Sequence, residues 1–266
     1  FNIKEMKFKM AKRKYIAPNA ITAAGLFLGY LSITASIKGE FIRAIVFIIL
    51  AMVCDGLDGK TARKLDAFSE FGKEFDSFCD AISFGLAPSI LVYSILMQYA
   101  SASAFIVPVS FIYALCGVMR LVKFNIITVA SNEKGDFSGM PIPNAAAMVC
   151  SYYLICYYLQ KNFDINLFHL DIFMAITIIA AILMVSTIKF KTPDKSFSFI
   201  PKKFAGLFIV IVIVTLKYSL FIVSFFYVII NLMSYVTKIF DNSNDDSDEE
   251  LVDVVEEKVE IEEDKK

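Results

Sequence analysis

Residues 55–63 read Asp-Gly-Leu-Asp-Gly-Lys-Thr-Ala-Arg, and residues 72–80 read Gly-Lys-Glu-Phe-Asp-Ser-Phe-Cys-Asp. An apolar run precedes the first stretch, and another follows the second. On helices, spacings of three and four residues place Asp55 with Asp58, and Asp76 with Asp80, on one face. If the two helices lie side by side at the edge of a membrane, four carboxylates converge. Hard divalent cations such as Mg2+ prefer that arrangement.

The composition is that of a membrane protein. Of the 266 residues 57% are hydrophobic, with a mean hydropathy of +0.63, against about 45–50% in soluble domains. Eight apolar runs are candidates to cross a bilayer as helices, at 19–37, 41–59, 78–99, 103–122, 142–160, 168–188, 204–216 and 219–238. We therefore expect an all-α integral membrane protein, a polytopic helical bundle surrounded by membrane lipids and with no nucleic acid among its partners.

The distribution of lysine and arginine along the chain predicts its orientation in the membrane. With the N-terminus inside, the inner segments carry eighteen of these residues and the outer turns carry four. Positive charge favours the cytoplasmic side, so both termini and all four aspartates are expected at the cytoplasmic face of a prokaryotic inner membrane.

The two ends of the chain differ from the transmembrane catalytic domain predicted for residues 18–240. Residues 1–17 hold six basic side chains among apolar ones, which indicates an amphipathic segment on an anionic membrane surface. Residues 241–266 contain 13 acids and almost no aromatic residues. This composition predicts a disordered cytoplasmic tail.

Cations and glycines accompany the carboxylates. Lys60, Arg63 and Lys64 add positive charge, while Gly59 and Gly72 allow a ligand or a helix to approach closely. This combination is typical of metal sites that handle phosphate groups. A divalent-cation transporter is the alternative from another class, although transporters place ion ligands near the bilayer midplane. The chain has one histidine, His169. This argues against a mechanism with a covalent phosphohistidine intermediate, since that mechanism needs two histidines.

The pattern D-x2-D-G-x2-A-R-x8-G-x3-D-x3-D is matched at every position, by Asp55, Asp58, Gly59, Ala62, Arg63, Gly72, Asp76 and Asp80. It resembles the signature of the CDP-alcohol phosphatidyltransferases. Residues 18–22 with Gly29 are similar to the first-helix motif of that family. Residues 76–88, 120–125 and 139–143 are similar to its serine-using branch. The resemblance covers about residues 15–200 and implies a six-helix core followed by two further spans.

The resemblance implies roles for individual residues. Asp55, Asp58, Asp76 and Asp80 would bind Mg2+ or Mn2+, as two ions, and Asp80 would also be the general base. The donor CDP-diacylglycerol would be contacted by Gly59, Arg63, Ser69, Asn19 and Thr22. The acceptor L-serine brings a carboxylate that needs a cation, and its candidate contacts are Arg120, Lys123 and Asn125. The products would be phosphatidylserine and CMP, and a homodimer is implied.

The acceptor is the open question within the family. Glycerol 3-phosphate, inositol phosphate or an archaeal-type lipid donor would need the same metal chemistry. The serine-branch motifs favour L-serine.

Overall fold

The computed structural model describes residues 14–100, 104–130, 137–190 and 220–237. In chain order they form helices α1 (Ile16–Ile37), α2 (Phe41–Lys64), α3 (Glu70–Asp80), a π-helical segment (Ala81–Leu86), α4 (Ala87–Ala100), α5 (Ile106–Ala130), α6 (Ile142–Phe163), α7 (Leu170–Val185) and α8 (Leu220–Thr237), with strands β1 (Phe137–Ser138) and β2 (Lys189–Phe190). Most of the predicted N-terminal segment, the span at 204–216 and the tail at 241–266 lie outside these residues.

The described chain is a polytopic helical membrane protein, as predicted. Five helical stretches are long and apolar enough to cross a bilayer: Ile16–Ile37, Glu70–Tyr99, Ile106–Ile126, Ile142–Phe163 and Leu220–Thr237. Two other helices of the bundle are not in this group: the 24-residue α2 carries charges at its end, and α7 is apolar but has only 16 residues. Counting α3, the π segment and α4 as one continuous element, α1 to α7 supply the six helices of the expected core.

Two helices extend well beyond the predicted spans. The run at 41–59 continues as α2 to Lys64, and the run at 78–99 begins eight residues earlier, at Glu70. Hydropathy detects the part of a helix that lies in lipid, whereas polar turns at the membrane edge remain helical. The Ser69 hydroxyl caps the start of α3 by accepting from the Gly72 N–H at 3.0 Å. All four aspartates of the motif consequently lie on helices.

Small residues allow α1 to pack closely against its neighbours. α1 lies along α2 and also contacts α3, the π segment and α4. A Cβ atom added at Gly29 would lie 2.6 Å from Ser83 Oγ and 2.9 Å from Ser83 Cα. The Ser83 hydroxyl donates to the Gly25 carbonyl oxygen at 3.3 Å. Close contacts through small residues are a general means of joining membrane helices.

The π-helical segment begins directly after Asp80. Such segments are frequent at functional sites, because the wider turn rotates the helix faces on either side of it. On α4 the inward positions are apolar, and Leu91 and Ile95 are fully buried. On α5, a Cβ atom added at Gly117 would lie 3.5 Å from Gly85 Cα. Beyond the π-helical segment the packing of α4 is therefore largely apolar, apart from the buried Ser89 hydroxyl, which donates to the Ser110 carbonyl oxygen at 2.7 Å.

Beyond α7 the chain is joined back to the core. β1 and β2 pair antiparallel, with Phe137 opposite Phe190. Phe190 is fully buried, and its ring stacks on Tyr227 of α8 at a centroid distance of 6.0 Å. Phe221 of α8 lies 6.4 Å from the Tyr152 ring of α6. The last described helix is thus packed against the six-helix core.

We expect Gly29→Ala to destabilise the protein, because the added methyl group would collide with the Ser83 backbone. Overpacking of this kind costs about 1–3 kcal/mol, which corresponds to a Tm lower by about 2–10 °C. Gly56→Ala is the control, since a Cβ atom there has no neighbour within 4 Å. Thermal unfolding in detergent measures both variants, and equal Tm values would contradict the packing argument.

Candidate active site

Three carboxylates from two helices meet at one point. Oxygen atoms of Asp55, Asp76 and Asp80 all lie within 4.8 Å of one another. α2 supplies the first, and α3 supplies the other two, which are one helical turn apart. Three carboxylate oxygens at this spacing could hold a divalent cation. The predicted convergence of the two helices is present in the structure for these three residues.

The fourth aspartate of the motif lies slightly apart and has a protein partner. Asp58 is only 5% exposed, and its Oδ2 accepts from the Thr22 hydroxyl at 2.6 Å. A narrow cavity of about 10 Å3 is nevertheless lined by Asp58 together with the three clustered aspartates, and such a space holds roughly one water-sized group. Thr22 therefore orients Asp58 at the wall of the same small cavity.

Within the described part of the chain, few positive side chains act on the cluster. Asp76 Oδ1 is buried and has no hydrogen-bond partner among the described residues. Of the described charges that act on Asp80, the other three aspartates are repulsive and Arg120 is attractive. Buried charges without partners cost several kcal/mol each. The orphaned oxygen and the all-carboxylate donor set fit a bound divalent metal.

A larger cavity of about 390 Å3 adjoins the cluster. It shares Thr22, Asp58 and Asp76 with the narrow cavity. Its walls include four of the five residues predicted to contact the donor, namely Asn19, Thr22, Gly59 and Ser69. The fifth, Arg63, is exposed and does not line it; its guanidinium nitrogens are 3.9 Å from the position of a Cβ atom at Gly59.

Gly72 allows the start of α3 to approach α1. A Cβ atom there would lie 3.0 Å from Ser69 Oγ and 3.2 Å from Asn19 Oδ1. The Ser69 hydroxyl is already engaged in capping α3. Ser69 therefore caps a helix as well as lining the cavity, and the motif alone does not reveal this structural role.

Sequence reasoning missed Lys73, which also lines the larger cavity. Lys73 is three residues before Asp76, so the two share a face of α3. That spacing was the available signal for a cation pointing to the same side as the carboxylates. Glu70 and the exposed Phe68 line the cavity as well.

The predicted acceptor contacts lie on α5, beside the cluster. Arg120 is half-buried and interacts electrostatically with Asp80. Asn125 donates from its amide nitrogen to Ser77 Oγ at 3.1 Å, and Ser77 directly follows Asp76. Lys123 is half-buried on the same helix. The structure thus brings the charge of Arg120 to bear on Asp80 at the C-terminal end of α3, and Asn125 links α5 to α3 through Ser77.

Comparison with known proteins agrees with this geometry. A family model described as CDP-alcohol phosphatidyltransferase matches residues 15–186, and the chain belongs to that family of membrane enzymes.

Similar proteins with assigned activities extend this comparison. The CDP-diacylglycerol–serine O-phosphatidyltransferase of Helicobacter pylori (strain ATCC 700392 / 26695) is 34% identical over 179 residues, covering 66% of this chain and 72% of that protein. The archaetidylserine synthase of Methanothermobacter thermautotrophicus is 35% identical, covering 66% and 70%. A Bacillus subtilis CDP-diacylglycerol–serine O-phosphatidyltransferase is 38% identical, covering 48% and 70%. The family membership implied by the motif is therefore confirmed.

Metal binding by the cluster can be measured without any enzymatic assay. We expect the purified protein to bind Mn2+ and Asp76→Asn to weaken binding at least about tenfold, because one anionic ligand is removed. The matched control is Asp66→Asn, which makes the same charge change at an aspartate whose side chain is 94% exposed. Electron paramagnetic resonance of free Mn2+ gives both dissociation constants. Equal binding by the two variants would exclude the cluster as the main ion site.

Proposed function

We propose that the protein transfers the phosphatidyl group of CDP-diacylglycerol to the hydroxyl of L-serine, giving phosphatidylserine and CMP. The observation that carries this proposal is the carboxylate cluster, in which Asp76 lines the larger cavity and Asp80 is influenced by the charge of Arg120. Donor and acceptor could then approach the cluster from two sides. The names of the relatives supply the choice of serine.

The larger cavity is the proposed donor site. The polar side chains among its lining residues could bind the cytidine and phosphate groups, and Lys73 supplies a cation for the pyrophosphate. Phe68 lines the cavity and is 65% exposed. An exposed apolar side chain at the cavity wall suits a donor whose acyl chains stay in the bilayer.

Asp80 is the proposed general base. Its carboxylate would accept the proton of the serine hydroxyl as that oxygen attacks the lipid-linked phosphorus and the bond to the CMP oxygen breaks. Arg120 would receive the serine carboxylate, because among the described residues it is a cation whose charge acts on Asp80. Lys123 and Asn125 are also proposed to contact L-serine. Asn125 is hydrogen-bonded to Ser77, the residue next to Asp76.

The four aspartates would hold two Mg2+ or Mn2+ ions, which when bound neutralise the pyrophosphate and the leaving phosphate. In this chain Thr22 fixes Asp58 by its hydrogen bond. At Gly59 and Gly72 no side chain extends from the cavity wall into the cavity. Arg63, which stands outside the lining, is proposed to reach the donor phosphates when the donor is bound.

The proposed orientation places the cavity at the cytoplasmic face. Lys14, Lys60, Lys64 and Lys73 lie at the end of the bundle that carries the cavity, in agreement with the charge distribution of the whole chain. Lys14 reaches the Asp66 backbone oxygen in the loop between α2 and α3. The homodimer is a prediction from family resemblance.

We expect purified protein to release CMP from CDP-diacylglycerol only when an acceptor and Mg2+ or Mn2+ are present, with L-serine the best of a panel. The panel includes glycerol 3-phosphate and inositol phosphate as the alternative acceptors. Chromatography of the lipid product and CMP release measure the reaction. Higher kcat/KM with glycerol 3-phosphate would refute the serine assignment while leaving the transferase class intact.

An archaeal-type donor lipid is tested in the same assay. Serine appears in the names of both kinds of relative, whereas the lipid differs between them. If the archaeal donor is used and CDP-diacylglycerol is not, the proposed donor is wrong and the acceptor stands. Metal uptake into vesicles without CMP release would instead support the transporter alternative.

Asp80→Asn should abolish turnover while leaving metal-dependent CDP-diacylglycerol binding measurable. An amide cannot take the proton from serine, although it can still provide an oxygen to the cluster. Donor binding is measured on the detergent-purified protein by equilibrium titration, in parallel with CMP release. If binding and turnover fall together to the same extent, Asp80 acts chiefly as a metal ligand. Asp66→Asn again serves as the charge-matched control.

A further inference from the structure

The hydroxyl group of Tyr113 on α5 makes a buried contact that the proposed reaction does not use. Tyr113 is fully buried, and its hydroxyl donates to the backbone carbonyl oxygen of Phe84 at 3.2 Å. Phe84 belongs to the π-helical segment that follows Asp80, and it is 1% exposed. A buried hydrogen bond therefore joins α5 to the backbone of the segment that comes directly after the carboxylate cluster.

The sequence explains why the Phe84 carbonyl group needs this donor. In an α-helix the carbonyl oxygen of residue 84 would accept from the N–H group of residue 88. That residue is Pro88, which has no N–H group and whose ring would collide with the same carbonyl group. In membrane helices, neighbouring helices and local π turns satisfy the backbone groups that a proline frees. Tyr113 supplies the hydrogen bond that Pro88 removes.

Neighbouring helices hold the π-helical segment from two sides. On α5, a Cβ atom added at Gly117 would lie 3.5 Å from Gly85 Cα. On α1, the Gly25 carbonyl oxygen accepts from the Ser83 hydroxyl at 3.3 Å. Ser83 and Phe84 also line the narrow cavity that the four aspartates share. The segment is therefore part of the wall of the candidate metal site.

The place of the π turns along the helix sets the direction of the Asp80 side chain. A π turn holds more residues than an α turn, so its place determines how the preceding turn is rotated relative to α4. Asp80 is the last residue of α3, immediately before the segment. A shift of the π turns toward α3 would therefore redirect the Asp80 carboxylate, whose oxygen lies within 4.8 Å of those of Asp55 and Asp76.

We propose that Tyr113 is a positioning residue for Asp80: by holding the Phe84 carbonyl group, it fixes the π-helical segment and thereby the direction of the Asp80 carboxylate. For turnover this inference rests on the proposed function, whereas for cation binding it rests on the carboxylate cluster alone. In this role Tyr113 touches neither substrate and takes no proton. The inference also gives a structural role to Pro88, which ends the stretch 76–88 that is similar to the serine-using branch.

The first test is Tyr113→Phe, which keeps the ring and removes only the hydroxyl. We expect kcat for CMP release at saturating Mn2+ to fall at least about tenfold, because small displacements of a reacting group are costly. KM for CDP-diacylglycerol should stay within about twofold, since Tyr113 does not line the larger cavity. The Mn2+ dissociation constant, measured by electron paramagnetic resonance, should rise at least about threefold, because Asp80 is one of three clustered carboxylates.

The matched control is Tyr152→Phe. Tyr152 is 7% exposed, and its hydroxyl donates to the Leu167 carbonyl oxygen at 3.3 Å. Both variants lose a hydrogen bond from a tyrosine to a backbone carbonyl group, so each should lower the Tm in detergent. Tyr152 lines neither of the two cavities at the aspartates. Its variant should therefore keep kcat and the Mn2+ dissociation constant within about twofold of the wild-type values.

A second substitution tests whether Tyr113 acts through Phe84. Pro88→Ala returns an N–H group to residue 88, which can then donate to the Phe84 carbonyl oxygen. The Tm loss caused by Tyr113→Phe should consequently be smaller in the Pro88→Ala background than in the wild-type protein, and a double-mutant cycle measures this coupling. Equal losses in the two backgrounds would show that Tyr113 does not act through this carbonyl group.

The inference is overturned if Tyr113→Phe leaves either kcat or the Mn2+ dissociation constant unchanged, or if Tyr152→Phe changes both to the same extent. Should Tyr113→Phe alone fail to fold, recovery of folded protein on adding Pro88→Ala supports the inference, and continued failure contradicts it. Absence of CMP release from the wild-type protein would instead refute the proposed function. The Mn2+ measurements would then still decide whether Tyr113 positions Asp80, so the two failures are distinguishable.

Discussion

The convergence of four carboxylates around one small cavity is the constraint around which the other contacts are arranged. Asp55, Asp76 and Asp80 lie within 4.8 Å of one another, a separation that is strongly repulsive unless cations neutralise it. The protein tolerates the cluster because α2 and α3 are held rigidly by α1. Small residues such as Gly25 and Gly29 bring α1 close enough to do this. Stability is therefore spent on a charged site whose carboxylate oxygens could hold a divalent cation.

The same constraint explains the asymmetry of the surroundings. Thr22 donates a hydrogen bond to Asp58, and the larger cavity opens beside both residues. At the other end of the cluster, the charge of Arg120 on α5 acts on Asp80. Beyond the π-helical segment that follows Asp80, the packing of α4 is largely apolar, with Leu91 and Ile95 fully buried. In the proposed function, a phosphate-bearing lipid and a small amino acid are therefore two ligands of one cluster.

The membrane architecture, the aspartate cluster and the family were readable from the chain itself. Helical spacing alone determines which of these carboxylates share a face, and apolar length alone reports a span. Helix ends were predicted poorly, because α2 and α3 continue as polar turns beyond the lipid. Lys73 on the cavity wall and the Asn125–Ser77 hydrogen bond needed the folded structure. Each depends on which faces of distant helices meet, and that is set by packing between segments far apart in the chain, such as Ser77 and Asn125, which are 48 residues apart, and no local pattern encodes it.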